Sequence, residues 1–251
     1  MPGLFTSALR SLPRLLPPLL ENRCVSCSMP VPAGSSALPL CAGCALALFR
    51  REGGFCPRCG NLTALPGSAP ALCGECITVE RPWDALFFHG EYKGMLRELI
   101  LRFKQGRELH LGHLLGTLLA GHPDLAKSTD GAYDAMVPLP LHPARLRERG
   151  FNQAVELAKP LAARLGTPIL RTALTRRENT RPQAGLTRKE RGDNVRNVFL
   201  ADRQVRGLRL LLTDDIATTC ASLESAARAL LHAGAASVDV AVAARTPGPS
   251  A

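Results

Sequence analysis

Eight cysteines lie between positions 24 and 76 as four pairs, Cys24/Cys27, Cys41/Cys44, Cys56/Cys59 and Cys73/Cys76, each with two residues between. That spacing puts both sulfurs on one side of a tight turn, and two such turns supply the four thiolates of a tetrahedral zinc shell. Four pairs ask for two Zn2+ ions. With eight ligands neither ion keeps an open coordination position, so both are structural. They hold a segment too small and too rich in Gly and Pro to build its own core. The pattern repeats with an offset of 32: positions 24, 27, 41 and 44 return as 56, 59, 73 and 76, and Ser36, Ala37 and Leu40 return as Ser68, Ala69 and Leu72. A duplication favours sequential sites (24/27/41/44 and 56/59/73/76), although an interleaved arrangement satisfies the same ligand count. Cys59-Gly60 is the best-formed turn, because a glycine after the second ligand permits positive φ and lets amides approach the sulfurs.

Oxygen chemistry is concentrated in Leu210-Leu-Leu-Thr-Asp214-Asp215-Ile-Ala217-Thr218-Thr219-Cys220-Ala221-Ser222, which reads as a strand running into a helix. In an open parallel sheet, ligands bind at the carboxyl ends of strands. Two acids there can accept hydrogen bonds from vicinal hydroxyls or hold a hydrated Mg2+, and the small residues that follow offer amides at a helix N-terminus to a phosphate. Together they describe a ribose 5-phosphate site. Further upstream, Arg145, Arg147 and Arg149 follow the prolines of Val137–Pro143. A guanidinium fork bonds two oxygens of an anion at once, while Glu148 among them fits a solvated surface. From Arg171 to Arg196 there are eight basic residues against three acidic ones, with Gln183 and Asn194 as candidates for ordered contacts. Such a polar, aperiodic stretch reads as a solvated charge run or as a basic surface for nucleic acid.

These groups need a scaffold, and the apolar pattern supplies one. Met95, Leu96, Leu99, Ile100 and Phe103 fall at helical spacing, a second helical stretch follows over 109–120, and Ala135–Leu139 reads as a buried strand. Phe151 to Leu165 forms another helical face that ends at Gly166, with a kink or break expected at Pro160. Leu208–Thr213, the helix around Leu223–Leu231 and Val238–Val242 make a βαβ unit. The fold class is therefore α/β, a parallel sheet with helices on both faces, preceded by a small zinc module. The expected organisation is an amphipathic segment over 1–23, a double zinc module over 24–79, the α/β domain over 80–245 and a disordered tail over 246–251. Residues 1–23 interleave Arg10, Arg14 and Arg23 with leucines and break at Pro13, Pro17 and Pro18, unlike a signal peptide. No apolar run is long enough to span a bilayer. The expected location is the cytoplasm, where thiols stay reduced and cysteines serve metals or chemistry. The formal charge is +10 over 251 residues; eight thiolates with two Zn2+ lower it to about +6.

The line through Asp214 to Ser222 resembles the diphosphoribosyl-binding fingerprint of type I phosphoribosyltransferases, two acids followed by Thr-Thr-Gly, except that Cys220 stands where the family has Gly. The segments Val137–Gln153 and Asn179–Phe199, the stretch Tyr92–Lys104 and the four-knuckle cysteine module narrow the resemblance to the ComF family, over essentially the whole chain. The resemblance implies a type I phosphoribosyltransferase-like domain behind a double zinc ribbon. It implies Asp214 and Asp215 on the ribose hydroxyls, Ala217, Thr218, Thr219, Cys220, Ala221 and Ser222 around the 5-phosphate, Arg147 and Arg149 on the pyrophosphate, and Gln183 in the mobile loop. The implied ligand is phosphoribosyl diphosphate or a nucleotide with Mg2+. The implied function is phosphoribosyl (glycosyl) transfer to an unassigned acceptor, linked to DNA uptake or nucleotide salvage. The alternative is a non-catalytic accessory or sensor of DNA uptake that meets single-stranded DNA or uptake proteins.

Overall fold

A computed structural model describes residues 22–32, 38–63, 65–127, 132–176 and 198–248. Most of the expected amphipathic segment, Gln183, Asn194, most of the basic stretch and the last three residues lie outside the described residues. The chain divides into two compact units, Met1–Leu48 and Phe49–Ala251. The division falls inside the segment 24–79, so the second cysteine group belongs to the larger unit.

In the smaller unit β1 (Asn22–Arg23) pairs antiparallel with β2 (Pro30–Val31), and α1 (Ala42–Ala47) follows. The larger unit runs α2 (Gly74–Thr78), β3 (Leu86–Glu91), α3 (Gly94–Gln105), α4 (Leu109–Ala120), α5 (Pro123–Lys127), β4 (Ala135–Pro138), α6 (Pro143–Arg149) and α7 (Gln153–Leu165). It continues with β5 (Leu174–Arg176), β6 (Phe199–Ala201), β7 (Arg209–Ala217), α8 (Ala221–His232) and β8 (Ser237–Arg245).

Four strands form one sheet in the order β3-β8-β7-β4, every neighbouring pair parallel. Leu212 of β7 sits between Val137 and Val240, and Val240 in turn lies beside Leu86. The strands are apolar almost throughout because both faces are covered. Alternation along β7 puts Leu210 and Leu212 on one face, where they cluster with Leu223, Ala226, Ala227 and Leu230 of α8. The other face of β7 meets α7, and Lys104 of α3 reaches Asp215 there. On α3 the buried residues are Leu96, Leu99, Ile100 and Phe103, the expected helical stripe. Helices thus lie on both faces of a parallel sheet. Among the described residues no helix is long and apolar enough to cross a membrane.

Helix α7 runs through Pro160 without a break. The reason lies on α4: a Cβ on Gly116 would come within 2.2 Å of the Leu157 carbonyl oxygen and 2.5 Å of Pro160 Cγ, so the proline ring is seated against a glycine. Asn152 starts α7 by accepting the Ala154 amide (2.9 Å), and Gly166 ends it in the left-handed region (φ 64°).

Candidate metal clusters and phosphate site

The sulfurs gather as Cys24/Cys27/Cys41/Cys44 and Cys56/Cys59/Cys73/Cys76, each group with all sulfurs within 4.8 Å of one another. The sequential pairing is the one found. Cys27 and Cys41 sulfurs lie 3.7 Å apart, as do those of Cys59 and Cys73. Zn–S bonds of about 2.3 Å give a tetrahedral edge of about 3.8 Å, so both groups fit a four-thiolate zinc ion.

The offset of 32 is a structural repeat as well. Ser28 donates to the Cys24 carbonyl and Gly60 to that of Cys56, each at 2.8 Å, and both residues are left-handed (φ 62° and 69°). Cys24 and Cys56 donate to the carbonyls of Met29 and Asn61, again at 2.8 Å. Cys41 and Cys73 each precede a short helix with nearly equal dihedrals. The Cys56 thiol is drawn down to about 4, first by its bond with Cys59 and then, against burial, by the amides of Cys73, Cys59 and Arg58. Amides that favour a thiolate favour a metal ligand.

The acid pair lies within β7, not beyond its end. The register with β8 runs unbroken through Asp214↔Val242 to Ala217↔Arg245, so Asp214 and Asp215 leave the strand on opposite faces. Asp215 is buried and ion-paired with Lys104 Nζ at 2.9 Å. Asp214 accepts the Asp215 amide at 2.8 Å. Burial, reinforced by Asp215, pushes the Asp214 carboxyl up to about 7, against the pull of Lys104 and Arg176. Arg176, at the end of β5, is itself lowered by burial and by nearby Arg145, while Asp214 opposes that shift. Mg2+ takes one or two carboxylates plus phosphate oxygens and water. Asp214 fits as such a ligand or as a ribose contact, whereas direct chelation of one ion by both acids does not fit this strand geometry.

Thr218, Thr219 and Cys220 turn the chain from β7 into α8, whose N-terminal residues include Ala221 and Ser222. Cys220 adopts the left-handed conformation (φ 63°), which favours glycine. Its side chain is buried, with Sγ 3.9 Å from the Cys59 carbonyl, so it packs under the turn towards the second cysteine group. Burial also pushes its thiol upward. Arg147 and Arg149 both lie on helix α6, with Gly150 as its left-handed end. At 100° per residue Arg145 and Arg149 share a face and Arg147 points away from both, so one pyrophosphate does not meet the whole set from this helix.

Three further residues enter the site from a distance in sequence. Lys104 holds Asp215. Arg245, buried at the end of β8, donates Nε to the Cys59 carbonyl (3.0 Å) and Nη1 to the carbonyls of Ala217 (3.1 Å) and Thr218. Arg81 pairs with Glu75 (3.1 Å) and with Glu224 of α8. Burial works against the charge of Arg81, yet the Cys76 sulfur and Glu75 hold its guanidinium above the ordinary range.

No protein-family model matches the chain. Among solved structures, a glutamine phosphoribosylpyrophosphate amidotransferase from B. subtilis, complexed with ADP and GMP, aligns at 20% identity and a TM-score of 0.35. The alignment covers 52% of this chain and 25% of that one. The DNA utilization protein YhgH of Salmonella typhimurium is 34% identical over 220 residues, 86% of this chain and 94% of the relative. Competence protein F of Haemophilus influenzae is 29% identical over 223 residues (87% and 94%), and competence protein ComFC of Bacillus subtilis 29% over 205 (78% and 79%). An identity of 34% sustained along nearly the full length of a relative, with the same names recurring, means that the chain belongs to the ComF family.

Proposed function

We propose that this protein binds phosphoribosyl diphosphate, or a nucleotide carrying the same ribose phosphate, with Mg2+, and serves the uptake or use of DNA. The observation that carries the reading is the strand-turn-helix of Asp214 to Ser222: a carboxyl in the second half of a central parallel strand, followed by a turn at the N-terminus of the twelve-residue helix α8. In this reading Asp214 takes ribose hydroxyls or a hydrated Mg2+, Asp215 fixes α3 through Lys104, and Thr218 to Ser222 receive the 5-phosphate. Arg145 and Arg176 supply positive charge on the Asp214 side, and Arg149, on the same face of α6 as Arg145, takes the pyrophosphate. Phosphoribosyl transfer would then rest on positioning and charge stabilisation, because departure of pyrophosphate needs no protein nucleophile. The names of the relatives support the link to DNA.

Calorimetric titration with phosphoribosyl diphosphate and Mg2+ tests this. Wild type is expected to bind, and Asp214→Asn to lose about tenfold or more in affinity, as removal of a charge-assisted contact implies. Absence of binding to wild type overturns the reading. Pyrophosphate release over a panel of bases then separates a transferase from a sensor: binding without release identifies the accessory role.

A further inference from the structure

We infer that Arg245 couples the second four-cysteine group to the phosphate turn, so that metal loading of Cys56/Cys59/Cys73/Cys76 sets how tightly Thr218 to Ser222 hold a phosphate. The inference rests on the reading of that turn as a phosphate cradle and adds a means of control to it.

Arg245 is a buried cation, 6% exposed, fixed from both sides by the sheet: its backbone lies beside Ala217 of β7 and Glu91 of β3. Its guanidinium reaches carbonyls at two places. Nε takes the Cys59 oxygen at 3.0 Å, and Nη1 takes the oxygens of Ala217 and Thr218, with Thr246 as a further acceptor at 2.7 Å. In a trans peptide the C=O and the following N–H point in opposite directions. Drawing the Ala217 and Thr218 oxygens inward therefore turns the Thr218 and Thr219 amides outward, to the side from which an anion arrives. Behind the turn, Cys220 Sγ packs towards the same Cys59 carbonyl, and Gly60 lets the Arg245 stem pass, since a Cβ there would lie 3.2 Å from Arg245 Cδ.

Charge completes the coupling. Four thiolates with one Zn2+ carry a net charge of about −2, and buried charges require opposite partners. Two guanidiniums adjoin this group: Arg245 on the Cys59 carbonyl, and Arg81, paired at 3.1 Å with Glu75, the residue before Cys76. Arg81 continues to Glu224 in the first turn of α8. Both connections run from the metal ligands to the turn or the helix that follows it. When the metal leaves, the four thiolates take up protons in its place, which discharges the group that both arginines answer and loosens the restraint on the turn.

The test uses the zinc-loaded full chain, with hydrogen exchange at 217–222 and calorimetric titration of ribose 5-phosphate as independent readouts. Arg245→Met keeps the length of the stem and removes every donor. Its turn amides are expected to exchange about tenfold faster, and its ribose 5-phosphate affinity to fall about tenfold, while Arg245→Lys lies between it and wild type. Unchanged exchange and affinity in Arg245→Met overturn the coupling. As a second arm, graded removal of zinc from wild type by a chelator is expected to raise exchange at 56–76 and 217–222 before Leu111–Leu119 of α4. A uniform rise, or none at 217–222, overturns it. If wild type fails to bind ribose 5-phosphate, the phosphate reading falls while the exchange readouts still decide the coupling.

Discussion

The two cysteine groups share spacing, hydrogen bonds and dihedrals, yet they serve different neighbourhoods. Cys27 is exposed, whereas its equivalent, Cys59, is buried and gives its carbonyl to Arg245. The first group sits with a two-residue hairpin and one short helix; the second is tied into the sheet unit by Arg81, Arg245, Cys220 and Trp83, whose indole donates to the Arg58 carbonyl at 2.6 Å. The repeat supplies two alike four-cysteine groups, and their surroundings differ: the first has only local elements about it, while the second is held by residues of the α/β unit.

Removing one ligand from each group puts that contrast to its strongest test. Cys56→Ser is expected to lower the melting temperature of the α/β unit by more than about 10 °C, because metal-binding energy in such a group is folding energy. Cys24→Ser is expected to leave that transition within about 2 °C. Trp83, the single tryptophan, reports the difference by fluorescence: its emission shifts to the red in Cys56→Ser alone. Equal responses would abolish the distinction. Arg81→Ala sharpens it without touching a ligand. Stranding Glu224 and a thiolate is expected to cost about 3 kcal/mol, a fall of about 6 to 12 °C in a thermal scan, with zinc content unchanged.

Asp214 tests whether the site above the second group carries strain of its own. Its carboxyl titrates near 7 when folded against an ordinary 3.8, so the folded state holds the proton more tightly. The stability it contributes is complete below about pH 4 and is lost as pH rises through 7. Asp214→Asn is therefore expected to raise the melting temperature by about 3 °C at pH 8 and leave it unchanged at pH 4, the opposite sign from its effect on ligand affinity. Cys220→Ala, which removes a buried sulfur packed on Cys59, is the smallest effect: about 1 kcal/mol, or about 2 to 4 °C, by the same scan.

What the sequence disclosed is what lies close together along it. The eight candidate ligands and their repeat follow from spacings of 2 and 13 residues, whereas the pairing, which spacing leaves open between sequential and interleaved, is decided only where the fold gathers the sulfurs. The β7-α8-β8 unit is legible because a buried parallel strand is a continuous apolar run beside a periodic helix. Strand β3 escaped the pattern: Leu86 to Glu91 is short, includes His89 and Gly90, and takes its strand character from β8, far along the chain. Lys104 met Asp215, and Arg245 met Cys59 across 186 positions, only once the sheet was assembled. Arg147 and Arg149 looked like a pair on paper, until the helix between Pro143 and Gly150 set them about 200° apart.

The strand order β3-β8-β7-β4 has a consequence for how the chain is made. The two central strands are the last to leave the ribosome, and the two made earlier are the edges, which have no partner in this sheet until the centre arrives. The first four-cysteine group is complete by residue 44 and can fold during synthesis, while the second waits for Arg245, 186 positions beyond Cys59. Assembly of the sheet, closure of the turn and anchoring of the second four-cysteine group therefore fall together once β8 has been made, as one late, long-range event.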